Sequence, residues 1–232
     1  MFDSMISPPA ECEAIWQRTM LMDNFDPEAL EHERTRNVQP AYGLTLVADY
    51  PLCAELLTGI DRLRRACRRV LGAGVELYPD DHLHLTIYSL MRSRPKPLPE
   101  KELSSIWSRW LPQLKQAVKE SLSLAVPLQG LAVTGNGAVL VCGKAVDGLR
   151  QLQSRLSLLP GVAAPRDVPL HITIGQVKRP CGTAEFFAEA MSALRQWATE
   201  PVGTLRFDRL HLLYYSSRLL DLIIKSEVIP GS

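Results

Sequence analysis

Residues 84–87 read His-Leu-Thr-Ile, and residues 171–174 read His-Ile-Thr-Ile. In an extended strand alternate side chains point to opposite faces, so the histidine and the threonine of each stretch share one face. The two aliphatic side chains of each stretch take the opposite face and can anchor the strand in a core. Two polar pairs that converge on one anion indicate phosphate chemistry, and these pairs are His84 with Thr86 and His171 with Thr173.

The chain around the two stretches repeats a similar order of elements. The first copy of this order consists of a strand at 42–48, a helix, the first stretch, an Arg-Pro break, a helix and a strand pair. The second copy begins with a strand at 138–142 and continues with the same elements around the second stretch. The two histidines lie 87 residues apart, and a repeat of that kind implies duplication into two similar lobes. The sequence therefore predicts a duplicated, bilobal α+β fold, in which two largely antiparallel sheets face a central cleft and helices cover the outside.

Apolar spacing and turn residues predict the remaining elements. Helix-spaced apolar residues run from Leu56 to Val70, from Leu103 to Leu114, from Val146 to Leu159 and from Phe187 to Leu194. Strands are predicted over 42–48, 82–91, 122–133, 138–142, 205–215 and 219–228, and Asn136-Gly137 suits a hairpin turn between two of them.

The composition bounds the class of protein. With 232 residues, of which 46% are apolar, the chain can bury a sizeable core. Its 26 Lys and Arg are balanced by 25 Asp and Glu, so it has no global basic field. We therefore expect no duplex nucleic acid as a partner, and any contact with nucleic acid to be local and short.

The cysteines and the absence of long apolar runs indicate the compartment. Five cysteines, without C-x-x-C spacing and mostly within apolar patterns, are expected to be reduced core residues. The start of the sequence lacks a basic segment followed by an apolar one, and no apolar run reaches 18 residues. We therefore expect a soluble, cytoplasmic protein that makes no membrane contact. We also expect it to be a monomer.

Residues 1–40 resemble nothing later in the chain and are predicted to form a helical extension. Pro8-Pro9 can open a first helix that runs to Met22, and Asp26-Pro27 can begin a second that runs to Arg36. Helices without convergent polar groups usually only pack, so a packing cap is favoured over a substrate lid. The main domain is predicted to span 41–230.

Two His-apolar-Thr-apolar tetrapeptides on corresponding strands of a duplicated α+β chain resemble the two-histidine phosphoesterase superfamily. This superfamily includes 2′-5′ RNA ligase-like proteins and RNA cyclic phosphodiesterases. The resemblance covers roughly residues 41–230, including Leu210–Ser216, which is similar to a closing strand of such proteins. A single tetrapeptide would match by chance, but two at equivalent points of a repeat are more specific.

The resemblance implies that His84 and His171 are catalytic and that Thr86 and Thr173 bind phosphate. It also implies a phosphodiesterase that acts on 2′,3′-cyclic phosphates or 2′-5′ linkages of RNA ends or nucleotides. The residue types suit that chemistry, because one imidazole can serve as base while the other serves as acid, and threonine hydroxyls can donate hydrogen bonds to phosphoryl oxygens. No cofactor is expected and no metal is required, and the pseudo-symmetry leaves open which histidine is the acid.

Other residues near the motifs are candidates for substrate binding. Tyr88 shares the polar face of the first motif and is placed either to stack on a base or to pack, and Tyr42 is a similar candidate. Gly175, two residues after the second motif, would let a ligand approach the backbone closely. Basic residues just past the motif strands could meet a second phosphate or be solvated: Arg92, Arg94, Lys178 and Arg179.

Two other function classes remain open at this point. His82 and His84 would lie on one strand face, as two ligands of a zinc hydrolase do, although the sequence shows no third ligand at a suitable spacing. A non-catalytic protein that binds nucleotides or RNA ends is the other alternative. The presence of both histidines and both threonines favours the phosphodiesterase over that binder.

Overall fold

A computed structural model of the chain describes residues 8–20, 39–119, 124–165, 169–178, 184–207, 209–217 and 222–230. Its α-helices are α1 (Ala10–Met20), α2 (Ala54–Leu71), α3 (Glu100–Lys119), α4 (Asp147–Ser157) and α5 (Ala184–Arg195). Its strands are β1 (Tyr42–Ala48), β2 (Val75–Leu77), β3 (Leu85–Arg94), β4 (Ala125–Val133), β5 (Ala138–Gly143), β6 (His171–Val177), β7 (Pro201–Arg206), β8 (Arg209–Tyr215) and β9 (Ile223–Pro230).

The strands form one nine-stranded sheet in the order β7-β4-β5-β6-β3-β1-β8-β9, with β2 paired to β6. Every strand pair is antiparallel. At the centre, β3 and β6 are joined through a single residue pair, Leu85 with Ile172. The sheet therefore consists of two halves that meet at one point, and the predicted α+β class with antiparallel sheets is confirmed.

The two halves of the sheet exchange strands. β4 follows the first motif in the chain but pairs with β5 and β7, beside the second motif strand. β8 and β9 follow the second motif, but β8 pairs with β1, beside the first motif strand. The prediction of one strand over 205–215 is wrong, because the chain passes there from β7 at one edge of the sheet to β8 near the other edge.

The core is built from the apolar faces that the periodicity marks. On α2, the side chains of Leu56, Ile60, Leu63 and Cys67 are buried, and this helix ends at Gly72, which has a positive φ of 56°. Cys12, Cys67 and Cys142 are buried and free, as predicted, whereas Cys53 is exposed. Cys181 lies outside the described residues.

Helix α1 packs on β4 as an integral part of this core. Trp16 is fully buried, and its indole Nε1 donates a hydrogen bond to the Leu131 carbonyl at 2.7 Å. The Thr19 hydroxyl donates to the Val133 carbonyl at 2.6 Å. The second helix predicted for the extension, Asp26–Arg36, lies outside the described residues.

Among the described helices, none is both long enough and apolar enough to cross a membrane.

Replacing Trp16 with alanine should lower the free energy of unfolding by about 3–5 kcal/mol, since it empties a large buried site and removes a buried hydrogen bond. Urea denaturation followed by circular dichroism measures this loss. The matched control is Gln17→Ala on the exposed side of the same helix, for which we expect a change within about 0.5 kcal/mol. A loss below about 1 kcal/mol for Trp16→Ala would show that α1 is dispensable for the core.

Candidate active site

The polar residues of the two motifs meet where the two halves of the sheet join. Leu85 pairs with Ile172 in antiparallel register, so the neighbouring positions place Thr86 opposite His171 and His84 opposite Thr173. The side chains of Leu85 and Ile172 are fully buried in the core. The two histidines and two threonines, which we call the motif quartet, therefore share the opposite face of the junction.

Both histidines are held by the same backbone interaction. His84 Nδ1 lies 2.8 Å from the carbonyl oxygen of His82, and His171 Nδ1 lies 2.6 Å from that of Pro169. A carbonyl oxygen only accepts hydrogen bonds, so Nδ1 carries the hydrogen in each ring. Each Nε2 is therefore left to accept or donate a proton toward a ligand.

Burial keeps both imidazoles neutral. It lowers the pKa of His84 to about 4, with His171 and His82 contributing in the same direction, while the hydrogen bond to the His82 carbonyl opposes the shift. Burial also lowers the pKa of His171, against its hydrogen bond to Pro169. Both rings are thus uncharged near pH 7 without a ligand, and a bound anion would favour protonation.

The two threonine hydroxyls are available to a ligand. Both side chains are half-buried, Thr86 on β3 and Thr173 on β6. Within the described part of the chain, neither hydroxyl has a hydrogen-bond partner in the protein. Each can therefore donate a hydrogen bond to an anion placed over the junction.

A cleft of about 600 Å³ opens beside the motif quartet, with Thr86 and His171 on its wall. The cleft is bounded by β3, by α4, by the segment that leads into β6 and by α1. Gln153 on α4 donates a hydrogen bond from Nε2 to the Ile87 carbonyl at 3.0 Å and so ties α4 to β3 beside Thr86. The volume of the cleft lies within the range of about 300–1,000 Å³ that is usual for small-ligand sites.

No sequence-family model and no curated protein matches this chain. Solved structures do match it: TT0787 of Thermus thermophilus superimposes with a TM-score of 0.50 at 17% identity, over 82% of this chain and 99% of that one. E. coli LigT in complex with NADP+ gives a TM-score of 0.50 at 17% identity, over 82% and 95%. A protein described as a phosphoesterase gives 0.50 at 15% identity, over 82% and 99%.

The chain therefore has the same fold as E. coli LigT. The fold neighbours agree with the architecture that the two motifs predicted.

Two of the predicted substrate-binding residues line the cleft, Tyr88 and Arg92. Tyr88 does so with only 4% of its surface exposed, and its hydroxyl donates to the Ala163 carbonyl at 2.8 Å. Little of its ring is therefore left to stack on a base. Arg92 is exposed on the cleft wall.

Three other predicted residues lie away from the motif quartet: Tyr42, Arg94 and Lys178. Tyr42 pairs with Arg94 at the far end of β3, whereas Thr86 pairs with Val47, and eight residues of strand correspond to about 25 Å. The ring of Tyr42 instead lies 6.4 Å from that of Tyr214. Lys178 follows the far end of β6, and its Nζ lies 3.8 Å from Glu76.

Gly175 was predicted to let a ligand approach the backbone, but the structure gives a different reason for a glycine here. A Cβ atom at this position would collide with the backbone carbonyl of Glu76 on β2, because β2 pairs with β6 through Gly175 itself. The glycine accommodates a neighbouring strand rather than an approaching ligand. Arg179 lies outside the described residues.

The prediction that His82 and His84 share one strand face is wrong. His82 ends a short 3₁₀ turn, Asp80–His82, and β3 begins only at Leu85, three residues later than predicted. The His82 carbonyl positions the His84 ring. In the ranges that the structure describes, no cluster of three or more His, Cys, Asp or Glu residues is arranged to hold a metal ion.

Arg18, Arg150 and Gln153 line the cleft, and sequence analysis missed all three. Helical spacing could have placed Gln153 and Arg150 on one face of α4, three residues apart. No local signal indicates which surface that face meets, because the packing depends on distant residues.

The lowered pKa values predict the titration of the ligand-free protein. In a two-dimensional NMR titration of the histidine rings, His84 should titrate near pH 4 and His171 below 6.5. Saturating inorganic phosphate should raise both pKa values, because the anion favours the imidazolium form. Spectra of His84→Ala and His171→Ala assign the signals, and a midpoint at or above 6.5 for either ring without phosphate would contradict the expectation.

Proposed function

We propose that this protein is a metal-independent phosphodiesterase that hydrolyses 2′,3′-cyclic phosphate or 2′-5′ phosphodiester bonds of RNA ends or nucleotides. The observation that carries the proposal is the junction of β3 and β6, whose register groups two imidazoles and two hydroxyls on one face. Hydrolysis of a phosphodiester needs a base, an acid and donors to the charged oxygens. In the motif quartet, the two histidines can serve as base and acid, and the two threonines can serve as the donors.

In the proposed reaction, the neutral Nε2 of one histidine takes a proton from the attacking water. The water oxygen bonds to phosphorus, and the bond from phosphorus to the leaving ester oxygen breaks. That oxygen takes a proton from the Nε2 of the other, protonated histidine. Because attack and departure are in line, acid and base must lie on opposite sides of the phosphate, and the diagonal placement of the two histidines across the junction suits this.

Thr86 and Thr173 are proposed to donate hydrogen bonds to the non-bridging oxygens, where negative charge accumulates. The negative charge of the substrate phosphate raises the imidazole pKa values that burial lowers, and so favours protonation of the histidine that acts as the acid. The site is therefore neutral when empty and gains its acid with the substrate. Either histidine can take either role, because their hydrogen bonds are equivalent.

Nucleotide binding by a fold neighbour supports the substrate class. Structures of E. coli LigT contain 3′-AMP or NADP+, and we extend nucleotide binding from that protein to this cleft as part of the proposal. We also propose that residues 41–230 form the phosphoesterase domain, that residues 1–40 form its helical extension, and that the protein acts as a monomer in the cytoplasm.

Removing either motif histidine should nearly abolish hydrolysis. His84→Ala and His171→Ala should each lower kcat by about 10²- to 10⁴-fold, the usual contribution of a general acid or base. His82→Ala, the matched control, should cost much less because the hydrogen bond that orients the His84 ring goes to the backbone carbonyl of His82, which alanine retains. The measurement is turnover of 2′,3′-cyclic nucleotides, 2′-5′-linked dinucleotides and ADP-ribose cyclic phosphate, with and without EDTA.

The same screen separates the alternatives. A zinc hydrolase would lose all activity with EDTA, contain stoichiometric zinc by mass spectrometry and be as sensitive to His82→Ala as to His84→Ala. A non-catalytic binder would bind 3′-AMP but turn over none of these substrates.

Each threonine should contribute through its hydroxyl. Thr86→Ala and Thr173→Ala should each lower kcat by about 10- to 1,000-fold, as expected for the loss of one donor to the developing charge, whereas Thr86→Ser and Thr173→Ser should retain most of the rate. Thr58→Ala on the exposed surface of α2 is the control. Unchanged turnover in both alanine variants would remove the threonines from the mechanism.

A further inference from the structure

Helix α1 presents two different faces. Cys12, Ile15 and Trp16 are buried in the core, where Trp16 bonds to β4. Glu11, Ala14 and Arg18 follow each other at spacings of three and four, so they share another face of the helix, and all three line the cleft. The packing cap expected from sequence is therefore also a wall of the candidate active site.

Three arginines from three separate elements line this cleft: Arg18 from α1, Arg92 from β3 and Arg150 from α4. All three side chains are exposed. Among the residues that the structure describes, none of the three guanidinium groups forms an ion pair, and Glu11 is the single carboxylate on the described cleft wall. The cleft thus carries an excess of positive charge although the chain as a whole is nearly balanced.

The arginines lie at different distances from the motif quartet. Arg150 is one helical turn from Gln153, which bonds to the backbone beside Thr86. Arg92 is six residues beyond Thr86 on the same strand, which corresponds to about 20 Å. The positive wall therefore extends along the cleft well past the place of the reacting phosphate, and farther than a single nucleotide reaches.

We propose that Arg18, Arg92 and Arg150 bind further phosphates of the substrate, so that the protein prefers an oligonucleotide end to a mononucleotide. This inference rests on the proposed function for the position of the reacting phosphate. The planar guanidinium group pairs with phosphate through two parallel hydrogen bonds, which makes arginine suited to such contacts. Helix α1 then acts as a specificity element, because it supplies one of the three cations.

The test compares substrates that differ only in their phosphates: adenosine 2′,3′-cyclic phosphate, its 5′-phosphorylated form, and the di- and triadenylates that end in a 2′,3′-cyclic phosphate. We expect kcat/KM for the triadenylate to exceed that for the mononucleotide by about tenfold or more at low salt. A gain that is complete with the 5′-phosphate would assign the contact to a mononucleotide and overturn the preference for an oligonucleotide.

Charge-removing variants test the residues. Arg18→Gln, Arg92→Gln and Arg150→Gln should each lower the ratio of the two kcat/KM values by about three- to tenfold. Arg65→Gln, at an exposed position on α2 away from the cleft, is the matched control and should leave the ratio unchanged. Cleft variants that change the ratio no more than Arg65→Gln would overturn the proposal.

Binding measurements separate this proposal from the proposed function. Isothermal titration calorimetry with 3′-AMP and with the 3′-phosphorylated triadenylate requires no turnover. The triadenylate should bind more tightly, and each cleft variant should reduce the slope of log Kd against log salt by about 0.7. If no substrate is hydrolysed but this pattern holds, the proposed function fails and the phosphate contacts stand. Equal affinities for the two ligands would overturn the contacts whether or not hydrolysis occurs.

Discussion

The candidate active site depends on one pair of residues, Leu85 and Ile172, through which the two halves of the sheet are joined. Both side chains are fully buried, so the hydrophobic contact that closes the core also fixes the register of the polar face above it. A slip of one residue would turn every side chain of one strand to the other face. Packing and chemistry are therefore specified by the same pair.

Burial gives the site its electrostatic character. Burial lowers the pKa of both histidines, and the equivalent hydrogen bonds to backbone carbonyls orient both rings without adding a charge. A carboxylate partner would instead have stabilised the imidazolium form before any ligand arrived. The arrangement leaves the bound anion as the group that selects the protonation state.

The sequence predicts features that follow from local periodicity. Alternation within each tetrapeptide correctly places its two aliphatic side chains in the core, and the repeat indicates the α+β architecture. The same alternation fails at His82, which lies in a 3₁₀ turn before β3. Features that depend on distant partners were missed. The segment 205–215 is uniformly strand-like, yet it divides between β7 and β8, which pair with β4 and β1 respectively. The small size of Gly175 is explained by β2, a three-residue strand that has little periodicity to detect. The second face of α1 lines a cleft whose other walls come from β3, α4 and the segment before β6, so the sequence of α1 alone does not indicate its role.

The exchange of strands between the two halves of the sheet has a consequence for biosynthesis. β1 pairs with β8 on one side, and more than 150 residues separate the two strands in the chain. As the chain leaves the ribosome, the first half-sheet must keep an unsatisfied edge until its last strands are made, and β4 must wait for β5 and β7. Neither half of the sheet can be completed by the strands around its own motif, so folding requires nearly the whole chain. The strand edges that stay exposed until then favour aggregation during synthesis.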